Sequence, residues 1–310
     1  MKNRIVVGTR KSALAVWQAQ WVIGRLEALN PDVEFEMRGI KTKGDKILDV
    51  ALAKIGGKGL FTKELEAGLL DGSIDLAVHS MKDLPTELPK GLEVGAICER
   101  VNPADALVAA ENIPIGQLPS GARVGTSSLR RSSQILNYRK DFRIVPLRGN
   151  VNTRLRKLKD ENLDAIILAY AGLHRLGYED HITQVLPFEI CLPAVGQGSL
   201  GIETREDDEE VLSLIKGIDH PSSKAAIEAE RSMLRCLEGG CQVPIGSHGR
   251  VVKGRLILDG VVASIDGTIL ISEQIEGNLG TPKILGEKLA ERLLQRGAGD
   301  ILRECKERFT

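Results

Sequence analysis

The chain alternates short apolar segments of strand length with longer segments that have the periodicity of amphipathic helices. Residues 4–8 form the first strand pattern, and Ser12 occupies the N-cap position of the helix that follows. That helix is predicted to bury a broad apolar face formed by Leu14, Trp17, Trp21, Val22, Leu26 and Leu29. The same order of strand and then helix recurs after residues 123–125, 143–147 and 164–169. This alternation predicts mostly parallel sheets covered by helices, and ligands of such sheets bind at the carboxyl ends of the strands.

The last third of the chain has a different pattern. From Gly249 onward, apolar runs are separated by Asp259-Gly260 and Asp266-Gly267, two dipeptides typical of hairpin turns. A long helical pattern then covers residues 282–296. Hairpins followed by a helix predict a small antiparallel α+β domain.

The composition excludes several classes of protein. Lys and Arg number 42, and Asp and Glu number 42, so the net charge is zero, whereas a general polyanion binder carries an excess of positive charge. Aromatic residues make up 3% of the chain, too few for a stacking platform on single-stranded nucleic acid. There is no membrane-spanning apolar stretch of roughly 18 residues and no signal-peptide pattern, so we expect a cytoplasmic protein.

The cysteines indicate free thiols. An odd, scattered set in a cytoplasmic chain does not predict a disulfide framework. There is no Cys-x-x-Cys motif and the five histidines are dispersed, so we expect no zinc site of the usual spacing. The five cysteines are Cys98, Cys191, Cys236, Cys241 and Cys305.

Positive charge is concentrated in one segment of this neutral chain. Residues 123–156 contain eight arginines and have a local charge of +8. Arg130 and Arg131 fall in the first turn of a predicted helix, while Arg148 and Arg154 flank the start of the next, where free N–H groups attract anions. The pattern favours a cleft for a multiply anionic ligand. The alternative is a solvated basic face.

Asp83 follows a predicted buried strand in the segment HSMKDLP. A carboxylate at the carboxyl end of a strand can act as a general acid or base, or stabilise a developing cation. The alternative is that Asp83 is only a turn residue before Pro85. His79 is interpreted as structural.

Two glycine-rich loops carry further candidate residues. Cys241 lies in GGCQVP, an exposed, non-helical setting in which a thiolate could attach a group covalently, or in which it is simply a free cysteine. The loop Gly56-Gly57-Lys58-Gly59 is not a phosphate-binding motif. We interpret it as a lid, with Lys54 and Lys58 as possible anion contacts.

Seven segments in this order resemble those of the porphobilinogen deaminase, or hydroxymethylbilane synthase, family and span essentially the whole chain. HSMKDLP and GGCQVPIG are the most specific of them. The seven are GTRKSALAVWQAQ, KIGGKGLFTKELE, DLAVHSMKDLP, VGTSSLRRSSQ, LRGNVNTRLRKL, AVGQGSLGIETR and LEGGCQVPIG.

The resemblance implies an α/β fold with two doubly wound, periplasmic-binding-protein-like domains around a cleft. A small C-terminal α+β domain carries the cofactor cysteine. The implied first domain covers residues 1–99 and is completed by a returning segment at about 196–216. The second domain, rich in arginine, covers residues 100–195, and the third covers residues 217–310.

The resemblance also implies an activity. The family polymerises four porphobilinogen molecules head to tail, releases ammonia each time, and hydrolyses off the linear tetrapyrrole hydroxymethylbilane. Its dipyrromethane cofactor is joined by a thioether to the loop cysteine, here Cys241. The implied protein is a cytoplasmic monomer without a metal, nucleic acid or membrane partner, which passes its product to the next enzyme of the pathway.

The resemblance assigns roles to individual residues. Asp83 is implied to be the catalytic carboxylate, which stabilises the cation left when the substrate loses ammonia. Lys54, Lys58 and Phe61 belong to the implied lid loop. The implied contacts to cofactor and substrate are Arg10, Ser12, Lys82, Thr126, Ser127, Ser128, Arg130, Arg131, Arg148, Gly149, Arg154, Arg175 and Gln197.

Three other functions compete with this interpretation. The α/β pattern alone suits an anion receptor or the effector domain of a regulator. The arginine-rich segment suits a nucleic-acid binder, although the zero net charge disfavours it. A cysteine hydrolase is disfavoured because no base is paired with Cys241.

Overall fold

The computed structural model describes residues 2–46, 59–237 and 243–309. The described residues form two compact units. Among the described residues, unit 1 comprises 2–46, 59–101 and 199–224, and unit 2 comprises 102–198, 225–237 and 243–309. Because unit 2 contains both the second and the third predicted domains, the three-domain boundaries stay a prediction.

The elements follow the predicted alternation. The strands are β1 (Arg4–Arg10), β2 (Glu34–Ile40), β3 (Leu76–Ser80), β4 (Leu92–Ile97), β5 (Asp105–Ala109), β6 (Arg123–Gly125), β7 (Arg143–Val145), β8 (Ala165–Ala169), β9 (Gln184–Val185), β10 (Leu200–Arg205), β11 (Ile245–Val252), β12 (Arg255–Ala263) and β13 (Leu270–Asn278). The helices are α1 (Ala13–Leu29), α2 (Lys43–Lys46), α3 (Lys63–Leu70), α4 (Leu129–Tyr138), α5 (Val151–Asp160), α6 (Tyr170–Arg175), α7 (Glu209–Ile215), α8 (Pro221–Cys236), α9 (Pro282–Gln295) and α10 (Ala298–Phe309). Among the described helices, none is long and apolar enough to cross a lipid bilayer.

Unit 1 is built on a five-stranded sheet with the order β2-β1-β3-β10-β4. Strand β1 runs parallel to β2 and β3, whereas β10 returns from late in the chain and lies antiparallel between β3 and β4. Ile5, Leu76 and Ile202 on three of these strands are fully buried, so the sheet forms the centre of the unit.

Helix α1 covers this sheet with a narrower apolar face than the sequence predicts. Its N-cap is Ser12, as predicted. Val22 and Leu26 are fully buried, but Trp21 and Leu29 are exposed, which corrects their placement on the buried face. Small residues such as Ala19 allow the helix to approach the sheet closely, so the larger side chains at its edge remain in solvent.

Unit 2 repeats the arrangement in its first part. Its five-stranded sheet has the order β7-β6-β8-β5-β9, with β6 parallel to β7 and β8, and β5 antiparallel to β8 and β9. The predicted α/β class is confirmed. The matching strand order of the two sheets was not visible as a sequence repeat.

The C-terminal part of unit 2 is the predicted small α+β domain. Strands β11, β12 and β13 form an antiparallel sheet, and α9 packs against it through Leu285 and Leu289. The predicted turn at Asp266-Gly267 is confirmed, since Gly267 has φ +71° between β12 and β13.

The other predicted turn is wrong. Asp259 and Gly260 lie inside strand β12. A Cβ on Gly260 would stand 2.7 Å from Met233 Sδ, so this glycine permits close packing of the domain core. The β11–β12 turn instead uses Lys253 and Gly254, at φ +49° and +74°.

Candidate functional site

A rigid turn presents Lys82 and Asp83 at the end of β3. The turn is a single 3-10 helix, Met81–Asp83, and Met81 N–H donates to Ser199 O at 3.0 Å. Met81 and Leu84 are buried on either side, whereas Asp83 is exposed and Lys82 is half-buried. Because both neighbours are fixed in the core, the backbone carries the Asp83 carboxylate outward in a defined position.

A second group of site residues follows β1. Arg10 ends this strand, and its guanidinium lies over the Phe61 ring, 4.1 Å from the centroid. Ser12 Oγ accepts from Ala15 N–H at 3.3 Å and so caps α1. Phe61 also packs against Gly44, where a Cβ would overlap its ring. These contacts fix Arg10 beside Phe61, which the sequence predicts to belong to a lid loop.

These two groups share one edge of the first sheet. Strands β1 and β3 are adjacent and parallel, with Val7 opposite Leu76. Arg10 and Asp83 therefore follow the carboxyl ends of neighbouring strands, which is where open α/β sheets bind ligands. The structure brings together five predicted residues within unit 1, namely Arg10, Ser12, Phe61, Lys82 and Asp83.

In unit 2, three adjacent parallel strands, β6, β7 and β8, are followed by most of the other predicted residues. Strand β6 leads into Thr126, Ser127 and Ser128, with Ser127 exposed and its Oγ donating to Leu147 O at 2.9 Å. Ser128 is the N-cap residue of α4, but its hydroxyl accepts no hydrogen bond from the first N–H groups of that helix.

Strand β7 leads into the second of these groups. Arg148 is half-buried, and Gly149 has φ +112°, a conformation that favours glycine. Arg154 on α5 is half-buried and its Nε donates to Gly149 O at 2.8 Å. The guanidinium thus braces the turn that precedes its own helix.

Arg130 and Arg131 are buried, and each forms an ion pair with Asp105. Arg130 Nη1 lies 2.6 Å from Asp105 Oδ2, and Arg131 Nη2 lies 2.7 Å from Oδ1. The exposed fractions are 4% and 6% for the arginines and 0% for Asp105. Burial alone would raise the pKa of Asp105, but the two guanidiniums outweigh it and hold that pKa far below its usual range.

Two further predicted residues lie nearby: Gln197, in the segment before β10, binds Asp105, and Arg175, on the helix after β8, binds the same segment. Gln197 Nε2 donates to Asp105 Oδ1 at 2.9 Å, and Arg175 Nη2 on α6 donates to Gly198 O at 2.7 Å. Cys191 Sγ lies 3.3 Å from Asp105 Oδ2. Burial and the Asp105 charge raise the pKa of Cys191 to about 12, so this thiol is neutral at physiological pH.

The arginine-rich segment is therefore not a single solvated basic face. Arg130 and Arg131 point inward to Asp105, whereas Arg139 pairs with Asp141 and the exposed Arg156 with Asp160. The alternative of a solvated basic face therefore does not describe the whole segment, and the anion-binding cleft stays a prediction. The members of the segment divide into buried, half-buried and exposed side chains.

Sequence reasoning missed Asp105, which joins two predicted arginines and Gln197. The available signal was an acidic residue at the head of the apolar run DALVA, after the turn-rich segment RVNPAD. Three predicted site residues, Lys54, Lys58 and Cys241, lie outside the described residues.

The donor set suits a ligand with several carboxylates. Arg148 and Arg154 are half-buried guanidiniums, and Lys82 is a half-buried ammonium. Guanidinium groups match carboxylates geometrically, and hydroxyls add further donors. The chemistry of these residues therefore fits the acetate and propionate groups of pyrroles such as those of a dipyrromethane.

Two family models match the chain. Residues 5–213 match "Porphobilinogen deaminase, dipyromethane cofactor binding domain", and residues 224–295 match "Porphobilinogen deaminase, C-terminal domain".

Relatives named porphobilinogen deaminase match nearly the whole chain. The one from Pelotomaculum thermopropionicum is 61% identical and covers 99% of this chain and 98% of its own length. Those from Desulforamulus reducens and Geobacter metallireducens are 58% and 54% identical, each over 99% of this chain and over 99% and 96% of their own lengths. Among solved structures, the periplasmic aliphatic sulphonate binding protein SsuA of Escherichia coli aligns at 16% identity with a TM-score of 0.42, over 77% of this chain and 71% of that one.

Proposed function

The chain belongs to the porphobilinogen deaminase family, and from this premise we propose that it polymerises four porphobilinogen molecules into hydroxymethylbilane with release of ammonia. The observation that carries the proposal is identity above 50% to relatives of that name over 99% of the chain. In chemical terms the enzyme is a deaminating transferase of tetrapyrrole biosynthesis.

Asp83 is the residue to which we assign the chemistry. Its carboxylate is exposed at a strand end, while the flanking side chains are buried. Loss of ammonia from the aminomethyl group leaves a cation on the substrate pyrrole. An ionised carboxylate beside that pyrrole stabilises the cation, and can take part in the proton transfer that lets the amine leave.

The cationic residues bind and orient the ligand. Each pyrrole carries an acetate and a propionate, so a growing chain accumulates negative charge. Lys82, Arg10, Arg148 and Arg154 offer positive donors, each at the carboxyl end of a parallel strand or on the helix that follows it. Arg10 lies over the Phe61 ring and Arg154 donates to Gly149 O, so these two guanidiniums need little reorganisation when the charge arrives.

The covalent cofactor is assigned to Cys241. When bound there through a thioether, a dipyrromethane supplies the primer on which the pyrrole chain is built. Cys98, Cys191 and Cys305 are buried and so are poor candidates for attachment, which leaves Cys236 as the exposed alternative among the described cysteines.

The rival functions have less support. A nucleic-acid binder usually carries an excess of positive charge, whereas this chain has 42 basic and 42 acidic residues. A binding module of similar fold has no need of the exposed Asp83, and releases no ammonia.

We also assign the enzyme to the cytoplasm as a monomer that passes its product to the next enzyme of the pathway. The four described cysteines are free thiols, which suits a reducing compartment. The exposed large apolar side chains are spread over helices and strands of both units, as on a monomer surface. Gel filtration with light scattering tests the oligomeric state.

The decisive experiment is incubation of purified protein with porphobilinogen. We expect about one ammonia released per porphobilinogen consumed, together with a linear tetrapyrrole detected by its mass. Protein that binds porphobilinogen without releasing ammonia would instead be a receptor. A salt-dependent shift of DNA without any turnover would support the nucleic-acid alternative.

A further inference from the structure

Asp105 is the first residue of β5 and is fully buried in unit 2. It lies opposite Ala169, the last residue of β8, so it stands at the sheet edge that carries the predicted ligand-binding residues. A buried carboxylate at that edge needs an explanation, because desolvation of an ion is costly unless the ion is fully paired.

Its oxygens accept hydrogen bonds from four side chains, which are Arg130, Arg131, Gln197 and the more distant Cys191 Sγ at 3.3 Å. Oδ2 accepts from Arg130 Nη1 at 2.6 Å. Oδ1 accepts from Arg131 Nη2 at 2.7 Å, from Arg131 Nε at 3.1 Å and from Gln197 Nε2 at 2.9 Å. The buried Asp105 carboxylate thus holds Arg130, Arg131 and Gln197, all three of which are implied to contact the ligand.

The two arginines differ in which guanidinium nitrogens make hydrogen bonds. Arg131 uses Nε and Nη2 on Asp105, and its Nη1 donates to Ile167 O at 3.0 Å. In the part of the chain that the structure describes, Arg130 bonds through Nη1, to Asp105 Oδ2, Cys191 Sγ and Leu192 O. Its Nε is buried and, within the described residues, makes no hydrogen bond. A buried N–H without a partner is rare in folded proteins.

Building on the proposed function, we propose that Asp105 is a positioning residue that holds Arg130 for a carboxylate of the pyrrole ligand. Arg131 binds the same carboxylate and, with Arg130, is held in place by it. One carboxylate between two guanidiniums leaves a net positive charge. That residual charge attracts an acetate or propionate, while the pairing prevents the two guanidiniums from repelling each other out of place.

The test compares Asp105→Asn with Asp75→Asn. Asp75 is a matched control in unit 1, because its carboxylate also lies between two cations. It accepts from Lys2 Nζ at 2.8 Å, from Val6 N–H at 2.8 Å and from Arg205 Nη2 at 3.4 Å. Each substitution removes the negative charge of a carboxylate that lies between two cations, so both should lower the thermal midpoint.

Three measurements are made on full-length wild type and variants: the thermal midpoint, the intact mass of denatured protein, and the KM and kcat for ammonia release. A charge-assisted contact is worth tenfold or more in binding. For Asp105→Asn we expect the KM for porphobilinogen to rise at least about tenfold with kcat within about threefold, or the fraction carrying the mass of two pyrroles to fall. Asp75→Asn should keep the wild-type KM and mass.

A folded Asp105→Asn enzyme with wild-type KM and mass would overturn the proposal, as would equal changes in Asp75→Asn. If Asp105→Asn does not fold, Asp105→Glu is measured in the same way. If neither folds, Asp105 is structural only and the proposal is rejected. Wild-type protein that releases no ammonia and has the bare sequence mass would refute the proposed function itself, whatever the variants do.

Discussion

His79 Nε2 lies 2.9 Å from Glu203 Oε2, and both side chains are buried on the adjacent strands β3 and β10. Glu66 on α3 is also buried and interacts electrostatically with both. Two carboxyl groups and one imidazole are thus buried together inside unit 1. His79 lies on β3, the strand that leads into the 3-10 turn carrying Lys82 and Asp83. His79 is structural, as its sequence context indicates.

The first prediction concerns the pH dependence of stability. Burial, together with the Glu203 charge, raises the pKa of Glu66, despite the opposing Thr62 hydrogen bond and His79 charge. The folded state therefore keeps this proton to higher pH than the unfolded chain. The folding advantage of protonated Glu66 is complete below the ordinary carboxyl pKa and is lost as pH rises through the raised value.

Glu66→Gln removes this titration. From pH 4 to 8, urea denaturation should show the variant gaining free energy of unfolding relative to wild type as the pH rises. Glu27→Gln, at an exposed position on α1, is the control and should show no such trend. A difference between Glu66→Gln and wild type that is constant over this range would contradict the prediction.

The second prediction concerns the cofactor cysteine. Purified protein should carry the extra mass of two pyrrole units after denaturation, and peptide mapping should place it on Cys241. Cys241→Ser should be inactive and folded. Cys236→Ser is the matched control, since Cys236 is the exposed cysteine of the described set, and it should keep both mass and activity. Active enzyme with the bare sequence mass would exclude a covalent cofactor.

The third prediction concerns Asp83. Asp83→Asn keeps the shape of the side chain but removes the charge and the proton acceptor, so ammonia release in a single turnover should slow by about 10²–10⁴-fold or more. Asp83→Glu should be faster than Asp83→Asn but slower than wild type. Both should fold normally by circular dichroism, because Asp83 is exposed.

The control for Asp83 is Asp71→Asn, an exposed acid after α3 that bonds locally to Ser73 N–H. It should keep wild-type ammonia release. Near-normal release by folded Asp83→Asn enzyme would move the search for the catalytic group to Lys82.

The fourth prediction separates binding arginines from exposed ones on a single helix. Arg154→Leu removes a half-buried guanidinium, and a charge-assisted contact of this kind is worth about 1.5–3 kcal/mol. We expect impaired cofactor assembly or accumulation of short-chain intermediates, read by mass spectrometry. Arg156→Leu, which loses only an exposed pair with Asp160, should behave as wild type. Identical intermediate profiles for both variants would remove Arg154 from the site.

The fifth prediction concerns the buried arginines. Arg131→Leu leaves Asp105 buried with one guanidinium fewer, so the free energy of unfolding should fall by about 3–5 kcal/mol. Arg156→Leu should cost less than about 1 kcal/mol, because its ion pair is solvated. Equal losses in urea denaturation would show that the Asp105 pair contributes little to the fold.

Local patterns predicted the elements that carry the site. Ser12 was identified as an N-cap by its residue type and position, and the turn at Asp83 by the proline that follows it and the buried strand before it. The ends of these strands also predict where ligands bind, because that rule depends only on strand order and direction, and this stays a prediction.

Long-range pairing could not be predicted in the same way. Nothing near Arg130 in the sequence shows that its partner is Asp105, 25 residues earlier, or that Arg154 remains half-buried. The exposed Trp21 depends on how closely α1 approaches its sheet. Gly260 has the local pattern of a turn residue, and only the packing of Met233 against it explains its position inside a strand.

The position of β10 between β3 and β4 has a consequence for biosynthesis. When the ribosome has produced residues 1–150, the first sheet still lacks the strand that pairs with both β3 and β4. Leu76 on β3 and Ala96 on β4 are buried in the folded protein. Their partner strand, residues 200–205, emerges only after all strands of the second five-stranded sheet have been made. A nascent chain of this kind exposes sheet edges for as long as it takes to make about a hundred further residues, roughly 5–20 s at usual elongation rates. The connectivity of the fold therefore leaves that edge open to pairing with other chains until late in synthesis.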